Sequence, residues 1–178
     1  MRLILTLDYE LYGNGDGDVR EHIIEPTERF IRTCNAFGIK ATIFFEVLEY
    51  VKIKEKYESG VSMGYDENPA TLIEQQIQQL YREGHDIQLH LHPIFKNFSL
   101  KNFADKKFSD VLHKYNNNEQ FELIKEGKDI LLKNGVTSLC AFRAGGFSAS
   151  DKTLKALKKN AFLFDSSYSK AFNEGITC

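Results

Sequence analysis

The sequence predicts a single α/β domain built around parallel strands. Short apolar or alternating segments recur between longer amphipathic segments four or five times along the 178 residues, which is typical of βαβ units. Glycines stand where the helical segments should end, at Gly38, Gly84 and Gly135. A chain of this length forms one domain by default, and we assign residues 1–178 to it. It can bury a sizeable core without disulfides.

The predicted elements alternate along the chain. Strands are expected over residues 3–8, 40–46, 86–92, 138–143 and 162–165, because these segments either alternate in polarity or are β-branched and aromatic. Helices are expected over residues 26–37, 48–57, 69–82, 119–134 and 150–159. Pro26 and Pro69 suit the first turn of their helices. Residues 95–118 are polar and interrupted, so we predict a long excursion with one short helix.

Composition excludes several classes of function. The formal net charge is −2 with acids and bases interspersed, which argues against nucleic acid or an anionic membrane as the main partner. The three cysteines form no CxxC pair and no even framework, so they are expected to be reduced thiols. No signal peptide or membrane span is recognisable, which makes a cytoplasmic location the expectation. The oligomeric state is not predicted.

Polar residues collect at the carboxyl ends of the predicted strands, where parallel α/β folds place their active sites. Asp8 and Glu10 share one face of the first strand, and His90 and His92 share one face of the third. Arg143 ends the fourth. A mixed carboxylate and imidazole set suits Zn²⁺ and other first-row divalent ions. We therefore predict a metal site from the two pairs together, although either pair alone is more often a solvated strand end.

Other polar residues are less informative. Arg143 could be a surface charge, or it could hold a neighbouring carboxylate ionised. Glu46 also ends a strand and is assigned weakly to the pocket. His85 is expected to be structural, and His22 and His113 carry no signal. Residues 13–17 are glycine-rich but lack the form of a phosphate-binding loop, so we predict a flexible rim.

Several segments together resemble the polysaccharide deacetylases, which are carbohydrate esterase family four or the NodB-homology domain. The matching segments, in order along nearly the whole chain, are residues 6–10 (TLDYE), 40–45 (KATIFF), 84–93 (GHDIQLHLHP), 142–146 (FRAGG) and 164–167 (FDSS). The spacing of the histidines resembles a branch with a His-x-His-Pro motif rather than the commoner pattern, in which they lie four apart. The commoner pattern also has two adjacent aspartates where this chain has Asp8 and Glu10.

The resemblance implies a distorted (β/α) barrel with about seven strands and a hydrolase acting on non-peptide carbon–nitrogen bonds. Glu10, His90 and His92 would hold one divalent ion, with zinc favoured and cobalt, nickel, manganese or iron as alternatives. Asp8 would be the catalytic base toward a metal-bound water that attacks the acetyl carbonyl, Arg143 would orient Asp8, and Gly146 would help bind the oxyanion. The substrate would be an acetylated carbohydrate, N- or O-acetylated.

The family's late motifs, which include the histidine that protonates the leaving amine, have no counterpart before Cys178. We therefore expect a barrel that is incomplete at its C-terminal end, with Phe162 and Phe164 exposed at an open edge. Two other functions compete. An amidohydrolase barrel also uses His-x-His, but on its first strand. An inactive sugar-binding remnant of a deacetylase would retain the metal residues without turnover.

Overall fold

In the computed structural model, residues 3–11, 17–97 and 110–168 are described. They form a five-stranded, fully parallel sheet whose strands lie in chain order. The strands are β1 (Thr6–Tyr9), β2 (Thr42–Glu46), β3 (Asp86–Leu91), β4 (Ala141–Ala144) and β5 (Phe164–Asp165). The helices are α1 (Glu25–Ala36), α2 (Val47–Glu58), α3 (Pro69–Arg82), α4 (Asn117–Lys133) and α5 (Asp151–Lys159). The predicted α/β class with parallel strands is confirmed.

Sequential strand order places successive carboxyl ends side by side along one edge of the sheet. An order without reversal is the kind that a βα barrel uses, whereas doubly wound sheets reverse direction part-way. Within the described residues, β1 pairs only with β2 and β5 pairs only with β4, so no closure is seen there. The closed or incomplete barrel remains a prediction.

The two faces of the sheet differ sharply in polarity. The outer face is apolar and fully buried under the helices, with Ile43, Ile87, Leu89 and Phe142 at its centre. The opposite face carries the alternate residues, which are mostly polar. On that face Glu46 on β2 is in register with His90 on β3, and His90 is in register with Arg143 on β4. Strand alternation therefore assigns one face to packing and the other to chemistry.

Most predicted boundaries agree with the structure to within two residues. The first strand is an exception, since it begins at Thr6 rather than residue 3, and both Leu3 and Ile4 are exposed. Pairing with β2 explains the difference, because the ladder starts at Thr6 opposite Thr42. The excursion contains 3₁₀ turns at Pro93–Asn97 and Leu112–Lys114, and residues 98–109 lie outside the described part. So does most of the rim predicted at 13–17.

The fourth strand also begins later than predicted, at Ala141 rather than residue 138. The fully buried side chain of Gln88 on β3 explains this difference. Its Oε1 accepts hydrogen bonds from the backbone N–H groups of Cys140 and Ala141, at 2.9 and 2.7 Å. Its Nε2 donates to the carbonyl oxygen of Ser138 at 3.0 Å. A side-chain amide thus replaces backbone pairing over the residues that lead into β4.

Of the two phenylalanines near β5 that were predicted to be exposed, one is exposed and the other is buried. Phe164 is 63% exposed, as expected, but Phe162 is only 6% exposed because it packs against Phe142 and beneath Lys128. The prediction that Phe162 meets water is therefore wrong. Cys34 and Cys140 are free thiols, whereas Cys178 lies outside the described residues. No helix in the described ranges is long and apolar enough to cross a membrane.

Candidate metal centre

Three side chains from two strand ends converge on one point. The Oε2 atom of Glu10 lies 3.2 Å from Nε2 of His90 and 3.1 Å from Nε2 of His92. One ligand atom from each residue lies within 4.8 Å of the other two. Glu10 follows β1 directly and His92 follows β3, with β2 between those strands. The predicted trio of ligands is thus brought together at the carboxyl edge of the sheet.

The second ring nitrogen of each histidine is also occupied. Nδ1 of His90 lies 2.8 Å from the carbonyl oxygen of Arg143, which can only accept, so Nδ1 carries a proton and donates it. Nδ1 of His92 lies 2.6 Å from Oδ2 of Asp110. Both Nε2 atoms therefore face Glu10 as the available ligand atoms. This pattern of outer hydrogen bonds is the one that orients metal-bound histidines.

The atoms present fit a divalent ion. Nε2 of His90 is buried and has no hydrogen bond of acceptable geometry among the described residues, despite its closeness to Glu10. A buried nitrogen without a partner is costly, and a metal ion would satisfy it. Two imidazole nitrogens and one carboxylate oxygen are also the donor set of catalytic zinc sites that keep a further position open.

Electrostatics keep Glu10 ionised. Burial acts to raise the pKa of Glu10, but the close approach and the charges of His90 and His92 outweigh it and lower that pKa to about 2. Burial acts to lower the pKa of His92, but the hydrogen bonds to Asp110 and Glu10 raise it to about 11. The pKa of His90 is also raised, since Glu10 and Glu46 outweigh its burial. In the absence of a competing cation, the positively charged, doubly protonated form of both rings is therefore favoured.

Asp8 and Arg143 form a second group on the same face of the sheet. Nη1 of Arg143 lies 2.5 Å from Oδ1 of Asp8, and Nη2 donates to the hydroxyl oxygens of Thr6 and Ser166, each at 3.0 Å. The guanidinium carbon is 4.0 Å from the ring centre of Phe44. Stacking and three hydrogen bonds fix the guanidinium plane against Asp8, and the orienting role of Arg143 in catalysis stays a prediction. Ser166 and Thr6 were not predicted.

Glu46 supports the site through backbone groups. Its Oε1 accepts from the N–H groups of Leu48 and Glu49 and so caps helix α2, while its Oε2 accepts from the N–H of His92 at 2.6 Å. Burial raises the pKa of Glu46 to about 7, against the opposing charges of His90 and His92. These contacts make Glu46 a brace between β2 and the residue after β3. A role toward substrate stays a prediction.

The two glycines after β4 differ in their surroundings. Gly146 is exposed with φ +56°, and a Cβ there would meet nothing within 4 Å. A Cβ on Gly145 would lie 2.4 Å from Nδ1 of His92, so only glycine leaves room for that ring. Sequence reasoning chose Gly146 for an oxyanion role, which stays a prediction, and overlooked Gly145 and Asp110.

The remaining histidines lie outside the metal cluster. His85 is buried and its Nδ1 accepts from the N–H of Ala41 at 3.2 Å, in keeping with the structural role predicted for it. His22 is exposed and its Nδ1 accepts from the N–H of Asp18 at 3.0 Å. His113 is also exposed. None of the three belongs to the group that could hold an ion among the described residues.

Comparison with solved structures finds a likeness to a deacetylase. The structure resembles the Streptococcus pyogenes deacetylase PplD in complex with acetate, with a TM-score of 0.52 and 19% sequence identity. The match covers 89% of this chain and 52% of that one, so the chain spans about half the length of the solved structure. No protein-family profile and no curated protein matches the chain. The likeness shows that the fold is of the kind found in that deacetylase.

Proposed function

We propose that this chain is a metal-dependent hydrolase that removes acetyl groups, N-acetyl groups in particular, from a carbohydrate. The observation that carries the proposal is the convergence of Glu10, His90 and His92 on the face of the sheet where Arg143 holds Asp8. A fold shared with a deacetylase crystallised with acetate supports it, because acetate is the expected product. The order of motifs along the sequence supports it independently.

Glu10, His90 and His92 would hold one divalent ion, with zinc as the first candidate because of the donor set. Such an ion acts as a Lewis acid toward a carbonyl oxygen and makes water more acidic. Glu10 contributes the negative charge that offsets part of the ion's charge. The two imidazoles are prepared for this task, because their Nδ1 atoms already donate elsewhere and leave Nε2 toward Glu10.

Asp8 is the proposed general base. Its Oδ1 is held by Arg143, and its Oδ2 has no hydrogen bond within the described residues, so Oδ2 is available to a water molecule. Asp8 takes one proton as the water oxygen bonds to the acetyl carbon. The carbon–nitrogen bond then breaks as the proton held by Asp8 passes to the departing nitrogen, which gives acetate and a free amine. Proton transfer of this kind contributes roughly 10²–10⁴ in rate.

The test is metal loading followed by product analysis. The chain is stripped with a chelator and loaded separately with Zn²⁺, Co²⁺, Ni²⁺, Mn²⁺ or Fe²⁺, and acetate release from N- and O-acetylated oligosaccharides is measured beside free amine. We expect one ion per chain and acetate matched by amine. Acetate without amine would indicate O-deacetylation instead. Stoichiometric metal binding without acetate from either substrate would overturn the catalytic proposal and favour a sugar-binding role.

A further inference from the structure

The two histidines are held in place by different means. His90 belongs to β3, is 2% exposed and is fixed by strand pairing on both sides. His92 lies one residue beyond the strand, and its side chain is 18% exposed. The backbone of His92 is held by Glu46, but that contact does not restrict rotation of the ring. Its imidazole therefore needs partners of its own.

Asp110 meets one edge of that ring. Its Oδ2 lies 2.6 Å from Nδ1 of His92, the distance of a strong charge-assisted hydrogen bond. Because an ionised carboxylate only accepts, this contact keeps a proton on Nδ1, so Nε2, which faces Glu10, is the nitrogen that exchanges its proton for an ion. Asp110 is 18 residues from His92 in sequence, so the contact is not a consequence of local chain geometry.

Gly145 meets the ring of the same histidine. A Cβ at this position would lie 2.4, 2.5 and 2.6 Å from Nδ1, Cε1 and Cγ of His92, closer than real Cβ atoms approach. The backbone of Gly145 has no positive φ, so the requirement is for space and not for an unusual conformation. The ring thus lies against bare backbone on the turn that follows β4.

Ser148 joins the segments that carry these two residues. Its hydroxyl donates to the carbonyl oxygen of Gly145 at 2.7 Å and accepts from the N–H of Leu112 at 2.9 Å. Its own carbonyl accepts from the N–H of His113 at 3.1 Å. Ser148 is 7% exposed. Ser148 therefore links the turn that contains Gly145 to the segment that follows Asp110.

We propose that Asp110 and Gly145, joined through Ser148, are positioning residues that hold the imidazole of His92 in its metal-binding orientation. The inference rests on the proposed metal site and names residues that neither the sequence motifs nor the deacetylase likeness assigned. These residues do not bind the ion themselves. They lower the cost of ordering one of its ligands, which raises affinity for the ion and keeps the other nitrogen of the ring away from it.

The test compares Zn²⁺ affinity in matched variants by competition with a chromophoric chelator. Asp110→Asn preserves shape but loses the carboxylate, and we expect a Kd about ten- to hundredfold weaker. Gly145→Ala and Ser148→Ala should weaken binding too. Asp129→Asn removes an exposed carboxylate paired with Lys125, and it should leave the Kd unchanged. Gly127→Ala introduces a clash with Leu89, at 2.8 Å, away from His92, so it controls for general destabilisation.

The outcomes separate the two proposals. If the native chain binds no Zn²⁺, both the metal site and the positioning of His92 for metal binding are overturned. If Asp110→Asn and Gly145→Ala bind Zn²⁺ as tightly as the native chain does, the metal site stands and only the positioning role of Asp110 and Gly145 is overturned. Should these variants fail to fold, ¹⁵N spectra of the Zn²⁺-loaded native protein decide. We expect His92 to bind through Nε2 with a protonated Nδ1, and Zn²⁺ on Nδ1 would overturn the inference.

Discussion

Arg143 on β4 reaches Asp8 on β1, with Nη1 2.5 Å from Oδ1, although two strands lie between them. Neighbouring strands are about 4.8 Å apart, so a flat sheet would separate these backbones by roughly 14 Å. The extended Arg143 side chain covers part of that distance, and bending of the sheet toward its polar face would cover the rest. Glu10 meets His90 and His92 on the same face, so both halves of the site lie on one side of the sheet.

Replacing Arg143 with lysine should separate catalysis from metal binding. Lysine keeps the charge but cannot reproduce the planar fork that contacts Asp8, Thr6 and Ser166. We expect acetate release to fall by about a hundredfold or more. Zn²⁺ affinity should stay the same, because His90 bonds to the backbone carbonyl of residue 143 and not to its side chain. An equal fall in both measurements would show that Arg143 acts on the metal site itself.

Removal of one imidazole tests the ligand assignment. His90→Ala deletes a buried nitrogen that has no replacement nearby among the described residues, and we expect Zn²⁺ affinity to fall beyond the roughly hundredfold loss typical of outer partners. His113→Ala is the matched control, since that ring is exposed and outside the cluster. Isothermal titration of both variants provides the comparison. Comparable affinity in the two would remove His90 from the ligand set.

Metal affinity should rise with pH. The pKa of His92 is raised to about 11, so that ring carries a proton that an incoming ion must displace, and the raised pKa of His90 acts in the same direction. For each proton that the ion displaces, the Zn²⁺ association constant increases about tenfold for every unit by which the pH rises. We expect the logarithm of the Zn²⁺ association constant to increase by about one to two per unit between pH 6 and 8. A flat profile would indicate that neither histidine binds the ion.

Glu49 should make the fold less stable at alkaline pH. Burial raises the pKa of this carboxyl from 4.5 to about 8, partly offset by a hydrogen bond from the N–H of Leu11, and its Oε1 has no hydrogen-bond partner among the described residues. A raised folded-state pKa means that its contribution to stability is complete below pH 4.5 and is lost as pH rises through 8. The linked loss is on the order of a few kcal/mol.

Glu49→Gln removes that titration while leaving an oxygen for Leu11. We therefore expect the variant to unfold at higher denaturant concentration than the native chain at pH 9, with the difference shrinking toward pH 5. Glu58→Gln, an exposed change on the same helix, serves as the control and should follow the native curve. Parallel pH dependence in Glu49→Gln and the native chain would mean that Glu49 does not titrate in this range.

Much of the fold and half of the site could be predicted because both depend on local pattern. Alternation along residues 86–92 placed His90 and His92 on one face, and the structure confirms it. Asp110 could not be predicted, since it lies in a polar segment without periodicity and meets His92 only through tertiary packing. The choice between Gly145 and Gly146 likewise depends on which one a distant ring approaches.

Glu46 shows another limit of sequence reasoning. A carboxylate at a strand end suggests a pocket residue, yet the oxygens of Glu46 accept hydrogen bonds from three backbone N–H groups. Nothing in the residue type distinguishes a cap from a ligand. The next helix begins directly after β2 at Val47, and that short connection was the available signal.

The side chain of Gln88 has a consequence for the chemistry above it. By bonding to Cys140 and Ala141 it fixes how far β4 is shifted lengthwise against β3. Arg143 follows two residues later, so the same shift sets the height at which its guanidinium meets Asp8. A neutral amide with no proposed part in the reaction thereby sets the alignment of the Arg143 guanidinium with the Asp8 carboxylate, and a slip of one residue there would turn Arg143 to the opposite face of the sheet.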